Sequence, residues 1–290
     1  DGDPITEIDL VGTTAARSGL YAHDPELINA ISIPGATGAY ALTGIETYVD
    51  IQYGLGYPML GVLDLPDGIT EDAAVTHVQE TVRLSSDNVA SYFPWVKTMN
   101  LSTRVMENTP PSGHVQGAFA RTDRRRNVSK APAGVVDGRL RGVQGVSRKV
   151  QYPSGTDVLY QARINPILAQ PEGILLWGSR THGQAGDLRQ ISKVRSMAYH
   201  QRSIKKDTRW IVFEGNSPDT RADWTRAVRA FCRRSWFAGL LIGETADEAF
   251  YIVCDESNNP PSVEQAGWFY GRVGLKFPNT IEFAIYEYEE

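Results

Sequence analysis

Cysteine is scarce in this sequence, and long apolar runs are missing from it. The two cysteines among 290 residues, Cys232 and Cys254, lie on a predicted helix and a predicted strand beside apolar neighbours. A free thiol in that setting packs as a small hydrophobe, so we expect unpaired structural thiols rather than a disulfide framework. No stretch approaches the roughly 18 to 20 uninterrupted apolar residues of a membrane helix. The sequence therefore predicts no membrane insertion.

An excess of positive charge is also lacking. Lysine and arginine number 29 against 34 aspartate and glutamate residues, a formal net charge of -5. The molecule as a whole therefore has no electrostatic reason to bind polyanions, and any basic function must be local. The start, Asp1 to Asp3, is acidic and lacks both a Met and a signal-like segment, which predicts a fragment, a processed product or a trimmed chain.

Motifs for catalysis and for metal or nucleotide binding are missing as well. The five histidines include no pair at i and i+4, and no carboxylate lies at a metal-binding spacing. There is no G-x-S-x-G motif, and a predicted strand rather than a helix follows the glycine-rich stretch 54–61. The acidic turn 254–259 lacks the EF-hand spacing. We therefore predict no enzyme, no catalytic residue, no cofactor and no metal.

The first half of the chain alternates predicted strands and helices. Its predicted elements are strands over 28–35, 57–68 and 92–99 and a helix over 70–86. The first two strands are apolar runs that end in Pro and Gly, which is typical of a sheet covered on both faces. Pro94 indicates an edge or a bulge in the third. Residues 134–157, rich in Gly, Arg, Val and Ser, predict a loop or domain junction.

The second half has a different order of predicted elements, which is typical of an α+β unit. Its predicted elements are strands over 172–179, 209–215, 248–255, 267–277 and 280–289 and helices over 187–204 and from Ser217 onward. The last helix carries an apolar stripe of Trp224, Val228, Phe231 and Ser235 and a separate basic side. The order predicts two helices packed on a mixed or antiparallel sheet, after an α/β first half.

The four arginines Arg121, Arg124, Arg125 and Arg126 are the strongest signal toward nucleic acid. Few aromatic residues accompany them, the net charge is negative, and no helix-turn-helix or RNP signature is present. The sequence therefore favours a structural role or a protein contact. A nucleic-acid-associated or enzymatic α/β protein is the alternative.

A dense motif occupies residues 110–133. Its positions are Pro110, Pro111, Ser112, Gly113, Gly117, Phe119, Ala120, Arg121, Thr122, Asp123, Arg126, Lys130, Ala131, Pro132 and Ala133. This segment resembles the signature of the contractile tail sheath family of bacteriophages, R-type bacteriocins and related injection systems. Asn127 is a departure, since the family usually has glycine there. The resemblance covers essentially the whole chain except for the family's N-terminal arm, which is not recognisable.

The resemblance implies a structural subunit that polymerises as hexameric rings around an inner tube and contracts to drive the tube through a target cell envelope. It implies a core α/β sheath domain, 1–163, without the N-terminal arm, and a C-terminal sheath domain, 164–290. The implied partners are other copies of the chain in a hexameric helical lattice, the tail tube protein, and baseplate and tail-terminator proteins, with no nucleic acid. The implied location is the virion tail or contractile particle, assembled in the bacterial host cytoplasm.

Two surfaces follow from the resemblance as hypotheses. In the family, the C-terminal domain touches the tube and exchanges terminal strands with neighbouring subunits by β-augmentation. The final strand is the candidate for the exchanged edge, and the alternative is an interior strand of its own subunit. Its proposed contact residues are Ile281, Phe283, Ile285 and Tyr286.

The second surface is the basic side of the last predicted helix. We expect it to face the tube, because charged contacts can set the register of the rings and still release on contraction. A solvated helix face is the alternative. Its residues are Arg226, Arg229, Arg233 and Arg234. We also expect Arg121 and Arg124 to Arg126 to hold the proline-rich loop through acidic partners.

Overall fold

The structure is a computed structural model that describes residues 4–23, 25, 28–184 and 186–280. The chain forms two compact units, residues 1–198 and 199–290, and each is described by itself. The division lies later than the expected border between residues 163 and 164. The reason is that the strands immediately after this border pair with the sheet of the first unit.

The first unit combines helices and strands throughout its length. Its helices are α1 (Glu7–Val11), α2 (Ala39–Gly54), α3 (Glu71–Thr76), α4 (Ser112–Arg125), α5 (Gly134–Asp137), α6 (Ser154–Gln161) and the start of α7 (Ile191–Asp207). Its strands are β1 (Ala30–Ile31), β2 (Leu60–Asp64), β3 (Val89–Phe93), β4 (Val96–Met99), β5 (Met106–Thr109), β6 (Gly145–Val146), β7 (Ile164–Gln170) and β8 (Gly173–Leu176). The mixed α/β fold expected from the sequence is thus confirmed.

The main sheet has five strands in the order β1-β2-β3-β7-β8. The first four are parallel, and β8 pairs with β7 in the antiparallel direction. Every residue of β2 and β3 is buried, which explains their nearly continuous apolar sequences. Alternate residues reach opposite faces, so Leu63 and Phe93 join one core cluster and Val62 and Tyr92 another. Helices therefore cover both faces of this sheet.

Each core cluster has its own set of helices. Side chains from α2, α3 and α6 pack in the first, including Leu42, Ile45 and Leu159. Side chains from α4 and α7 pack in the second, including Phe119 and Val194. The predicted helix over 70–86 is present as α3 and a π-helical continuation, His77–Val82, and Thr70 caps it by accepting a hydrogen bond from the N–H of Ala73.

The single strand predicted over 92–99 was wrong. The chain forms two strands there, β3 and β4, which belong to different sheets, and Pro94 lies between them. Proline has no N–H to donate to a strand ladder, so the pairing stops and the chain turns into a second, antiparallel sheet of order β5-β4-β6. The stretch 134–157, predicted as a loop, contains α5, β6 and the start of α6.

The second unit contains the end of α7 and a small antiparallel sheet. Its further elements are α8 (Pro218–Phe237), α9 (Ala246–Ala249), β9 (Phe250–Val253), α10 (Pro261–Gln265) and β10 (Arg272–Leu275). Strands β9 and β10 pair with each other. Ser217 caps α8 by accepting a hydrogen bond from the N–H of Thr220. The apolar stripe predicted for this helix is confirmed, since all four of its residues are buried.

The strand predicted over 209–215 was also wrong. A short 3₁₀ turn, Arg209–Ile211, occupies its start, and Phe213 has a φ of 76° and is fully exposed. The N–H groups of Ile211 and Val212 bond to carbonyls three residues earlier, so local turns take the hydrogen bonds that a strand ladder would need. The final predicted strand lies outside the described residues from position 281 onward.

Candidate assembly surfaces

The titratable residues of the described part of the chain bear on metal binding and on the activation of nucleophiles. Among the described residues, no group of three or more His, Cys, Asp and Glu is placed to hold a metal ion. None of the described helices has the length and apolarity that a membrane crossing requires. His182 is buried with its Nε2 2.9 Å from the Ser91 hydroxyl, and burial together with Arg163 lowers its pKa to about 3. This imidazole is therefore neutral at physiological pH and serves the interior packing.

The two cysteines behave as the sequence predicts. Both are free, with Cys232 buried and Cys254 partly exposed. Burial raises the pKa of each thiol to about 11. Since the thiolate is the nucleophile, neither cysteine is activated for chemistry.

A buried carboxylate holds the start of the signature motif in place. Asp64, the last residue of β2, accepts hydrogen bonds from the N–H of Ser112 at 2.8 Å and from its hydroxyl at 2.7 Å. It also accepts one from the N–H of Gly35 at 3.2 Å. Burial raises the pKa of Asp64, and these hydrogen bonds oppose that shift. Asp64 thus joins the turn after β1, the end of β2 and the first residue of α4.

The other signature positions have varied surroundings. Pro111 and Pro132 are buried, whereas Gly113 and Lys130 are exposed. An added Cβ at Gly113 would meet no atom within 4 Å, so nothing in the first unit explains the glycine. Asn127, where the family usually has glycine, accepts a hydrogen bond from the N–H of Ser129 through its side-chain oxygen. The local turn is therefore stabilised by the asparagine itself.

The charged signature residues fasten α4 to its surroundings. Asp123 forms an ion pair with Arg195 of α7, and the guanidinium of Arg195 lies 4.6 Å from the centre of the Phe119 ring. Arg121 donates hydrogen bonds to the carbonyls of Asp137 and Arg139. Its partners are thus main-chain oxygens rather than the acidic side chains that we expected, because the chain after α5 passes directly beside this helix.

The other three arginines of this run, Arg124 to Arg126, lie at the surface. None of the ion pairs found among the described residues includes them. The structure therefore gives them no acidic partner in the part of the chain that it describes.

The basic side of α8 is fully at the surface of the second unit. Arg226, Arg229, Arg233 and Arg234 are all exposed, while the opposite side of the helix carries the buried stripe. Their spacing of three, seven and eight residues from Arg226 places them on one side of a helix. Arg226 pairs with Asp223 of the preceding turn at 2.9 Å. The four arginines therefore share one exposed side of α8, which we call the basic surface of α8.

The sheet of the second unit has two strands among the described residues. Each of β9 and β10 has one partner among the described residues, so each keeps one edge without a strand neighbour there. A two-stranded sheet is marginally stable by itself. The residues proposed for the exchanged edge, Ile281, Phe283, Ile285 and Tyr286, lie outside the described residues.

Sequence reasoning missed Asp64 and Arg195 as anchors of the signature helix. A signal was present for Asp64, since a lone carboxylate ends an otherwise apolar run, "LGVLD". Such a residue is rarely buried without hydrogen-bond donors. Arg195 gave no signal, because its spacing on α7 resembles that of a surface arginine.

Known proteins share both sequence and structure with this chain. No protein-family model matches it. A prophage major tail sheath protein of Pseudomonas aeruginosa (strain UCBPP-PA14) is 26% identical over 219 residues, which cover 74% of this chain and 53% of that protein. The tail sheath protein of Vibrio phage KVP40 is 28% identical over 176 residues, 60% of this chain and 25% of that protein. The chain therefore spans between a quarter and about half of the length of these relatives.

Two solved structures extend the similarity to the fold. The contracted helical sheath of the anti-feeding prophage matches with a TM-score of 0.74 and 26% identity, over 91% of this chain and 70% of that one. A chain from the six-fold symmetrised baseplate of the same particle matches with a TM-score of 0.75 and 25% identity, over 91% of this chain and 68% of that one. Together with the sequence relatives, these structures confirm the resemblance inferred from residues 110–133.

Proposed function

We propose that this chain, a relative of contractile tail sheath proteins, is a structural subunit that polymerises as hexameric rings around an inner tube. On triggering, the rings contract and drive the tube through the envelope of a target cell. The observation that carries this proposal is the match to a contracted helical sheath over 91% of the chain. Such a subunit belongs in a virion tail or a related contractile particle, assembled in the cytoplasm of a bacterial host.

The proposed contact with the tube is the basic surface of α8. Three of its four arginines have no carboxylate partner among the described ion pairs, so their charges are free to meet an acidic surface. Charged contacts of this kind set register and orientation, and they weaken at high salt. Arg226 contributes less, because Asp223 already neutralises part of its charge.

The proposed contact between subunits is strand addition to the sheet of β9 and β10. An edge strand exposes N–H and C=O groups that an added strand can pair with. Large apolar side chains recur at every second position, at Ile281, Phe283 and Ile285, which suits a strand with one buried face. Baseplate and tail-terminator proteins are proposed to bind the ends of the resulting lattice.

The alternative of an enzyme or a nucleic-acid-associated protein receives no support from a specific site. Burial keeps both cysteine thiols protonated at physiological pH, and His182 is buried in the interior of the first unit. We therefore propose a mechanical role, in which energy stored in the lattice of subunits is released without a cofactor.

Electron microscopy of negatively stained protein tests the proposed function directly. We expect the longest expressible form that contains this chain to make hollow tubes or stacked rings at high protein concentration. Purified chain should bind neither ATP nor DNA in the same buffer. Persistently monodisperse particles from that longest form, across a series of salt concentrations, would contradict a sheath role.

A further inference from the structure

Two elements of the first unit present arginines to one cavity. Arg121 and Arg125 lie one turn apart on the same side of α4. Arg139 and Arg141 flank Leu140, which is buried, so an extended backbone directs both arginines away from the core. All four line a cavity of about 510 Å³, together with Val135 and Val136. We call this the arginine cavity.

The backbone around the arginine cavity is fixed by hydrogen bonds. Arg121 bridges the carbonyls of Asp137 and Arg139. The N–H of Leu140 donates to the carbonyl of Ile174 at 2.8 Å, and Arg139 forms a bridge with Leu175 of β8. The side chain of Arg121 and the backbone at Arg139 and Leu140 are therefore fixed before any ligand arrives, which lowers the entropic cost of binding.

The positive charge of the arginine cavity is largely uncompensated. None of the four arginines takes part in an ion pair among the described residues. Asp137, whose side chain is buried, lies close enough for its charge to act on Arg121. Burial and the charges of Arg141 and Arg125 lower the pKa of Arg121, with Asp137 opposing this. Clustered cations repel one another, so an anionic ligand would relieve a cost that the free chain bears.

A second cavity indicates what kind of anion fits. Arg121 and Arg141 also line a neighbouring cavity of about 530 Å³, whose other walls include Pro34, Pro110 and His114. A ligand that spans both cavities would carry carboxylates next to apolar groups, as a polypeptide does. The described residues that line the two cavities include no Phe, Tyr or Trp, so they offer the bases of a nucleic acid no stacking surface.

We propose that the arginine cavity binds a carboxylate-bearing segment of a second copy of this chain. This inference rests on the proposed function, because a sheath lattice places copies side by side. The chain has 34 Asp and Glu residues to supply the carboxylates. Guanidinium groups bind carboxylates through two parallel hydrogen bonds, which gives the contact direction as well as strength.

Zero-length cross-linking identifies the ligand of the arginine cavity. The variant Arg139→Lys/Arg141→Lys keeps the charge and adds amines that carbodiimide joins to carboxylates in contact with them. Isotopically labelled and unlabelled chains are mixed, cross-linked and digested, and mass spectrometry then finds peptides that join the two labels. The matched control is Arg17→Lys/Arg104→Lys, at two exposed arginines outside the cavity.

We expect mixed-label cross-links from position 139 or 141 to an Asp or Glu, well above the yield of the control. Cross-links confined to one label, or a yield equal to that of the control, would overturn the proposal. Loss of single-stranded oligonucleotide binding in Arg139→Glu/Arg141→Glu, with no mixed-label product, would instead assign the cavity to nucleic acid and overturn it as well.

Charge reversal separates this inference from the proposed function. Arg139→Glu/Arg141→Glu should raise the protein concentration needed for assembly by about tenfold or more relative to Arg17→Glu/Arg104→Glu. Normal assembly of the cavity variant would overturn the role of the cavity and leave the sheath function standing. Failure of the unaltered protein to assemble would count against the sheath function, and the cross-linking result would still decide the cavity.

Discussion

Ser112 donates two hydrogen bonds to Asp64, one from its N–H and one from its hydroxyl, although the residues lie 48 positions apart in the sequence. Both are buried. The pair therefore connects the signature motif to the main sheet, and it explains a small hydroxyl residue at the first position of α4. Through this pair, the motif fixes the start of α4 on the end of β2.

Removal of the Ser112 hydroxyl should destabilise the first unit. Ser112→Ala leaves Asp64 with two N–H donors, and we expect a loss of about 1 to 3 kcal/mol in the free energy of unfolding. Urea denaturation followed by circular dichroism measures this change. Ser102→Ala, at an exposed serine, is the matched control and should change little. Equal stability of the two variants would contradict the role of the pair.

Asp64 should also give the stability a pH dependence of known sign. Burial raises its pKa in the folded chain above the usual 3.8. The folded chain therefore binds this proton more readily than the unfolded chain, and the resulting stabilisation is full below pH 3.8 and is lost as the pH rises through the raised pKa. The free energy of unfolding of the wild type, minus that of Asp64→Asn, should thus grow as the pH falls from about 7 toward about 4. Urea denaturation at several pH values measures it, and a difference that shrinks on acidification would refute the assignment.

The ion pair of Asp123 and Arg195 should show coupling in a double-mutant cycle. Asp123→Ala removes the carboxylate that pairs with the guanidinium of Arg195. This guanidinium is 9% exposed and lies over the Phe119 ring. We expect a loss of about 1 to 3 kcal/mol, below that of a fully buried pair, because Asp123 is partly solvated. Arg195→Met in the same chain should recover part of the loss by restoring apolar packing on the ring. Additive effects of the two changes would show that the pair is not coupled.

The basic surface of α8 should control association with the tube. Arg229→Glu/Arg233→Glu reverses two exposed charges without touching the buried stripe, so the fold should persist while tube-bound sheath is lost. Co-sedimentation with tube protein measures binding, and circular dichroism checks the fold. The control Arg17→Glu/Arg104→Glu carries the same change of charge elsewhere. Wild-type levels of tube-bound sheath from the α8 variant would exclude this surface as the contact.

Local sequence signals predicted much of the fold. The helices predicted to begin near Thr70 and Ser217 are present, with these two residues as their caps, and the buried stripe of α8 follows from its spacing. Errors arose where a long-range partner decides the structure. The apolar stretch 209–215 has strand-like residues, yet it is a turn, because a strand needs a neighbour and spacing along the chain does not reveal one.

One of the candidate surfaces could be predicted from local sequence signals, and the other could not. The four arginines of α8 follow from helical periodicity alone. The arginine cavity does not, because Arg121 and Arg139 come together only when the chain after α5 returns to α4. The sequence placed Arg139 and Arg141 in a predicted loop, 134–157, and gave no sign that they lie beside α4.

The edges of β9 and β10 that have no strand neighbour in the described part of the chain bear on how far such a protein can diverge. Main-chain N–H and C=O groups are the same at nearly every residue, so an interface built on strand pairing depends weakly on which side chains carry it. Substitutions that keep the alternation of apolar and polar positions leave the pairing intact. Under the proposed strand addition, the contact between subunits would therefore persist while most side-chain identities change.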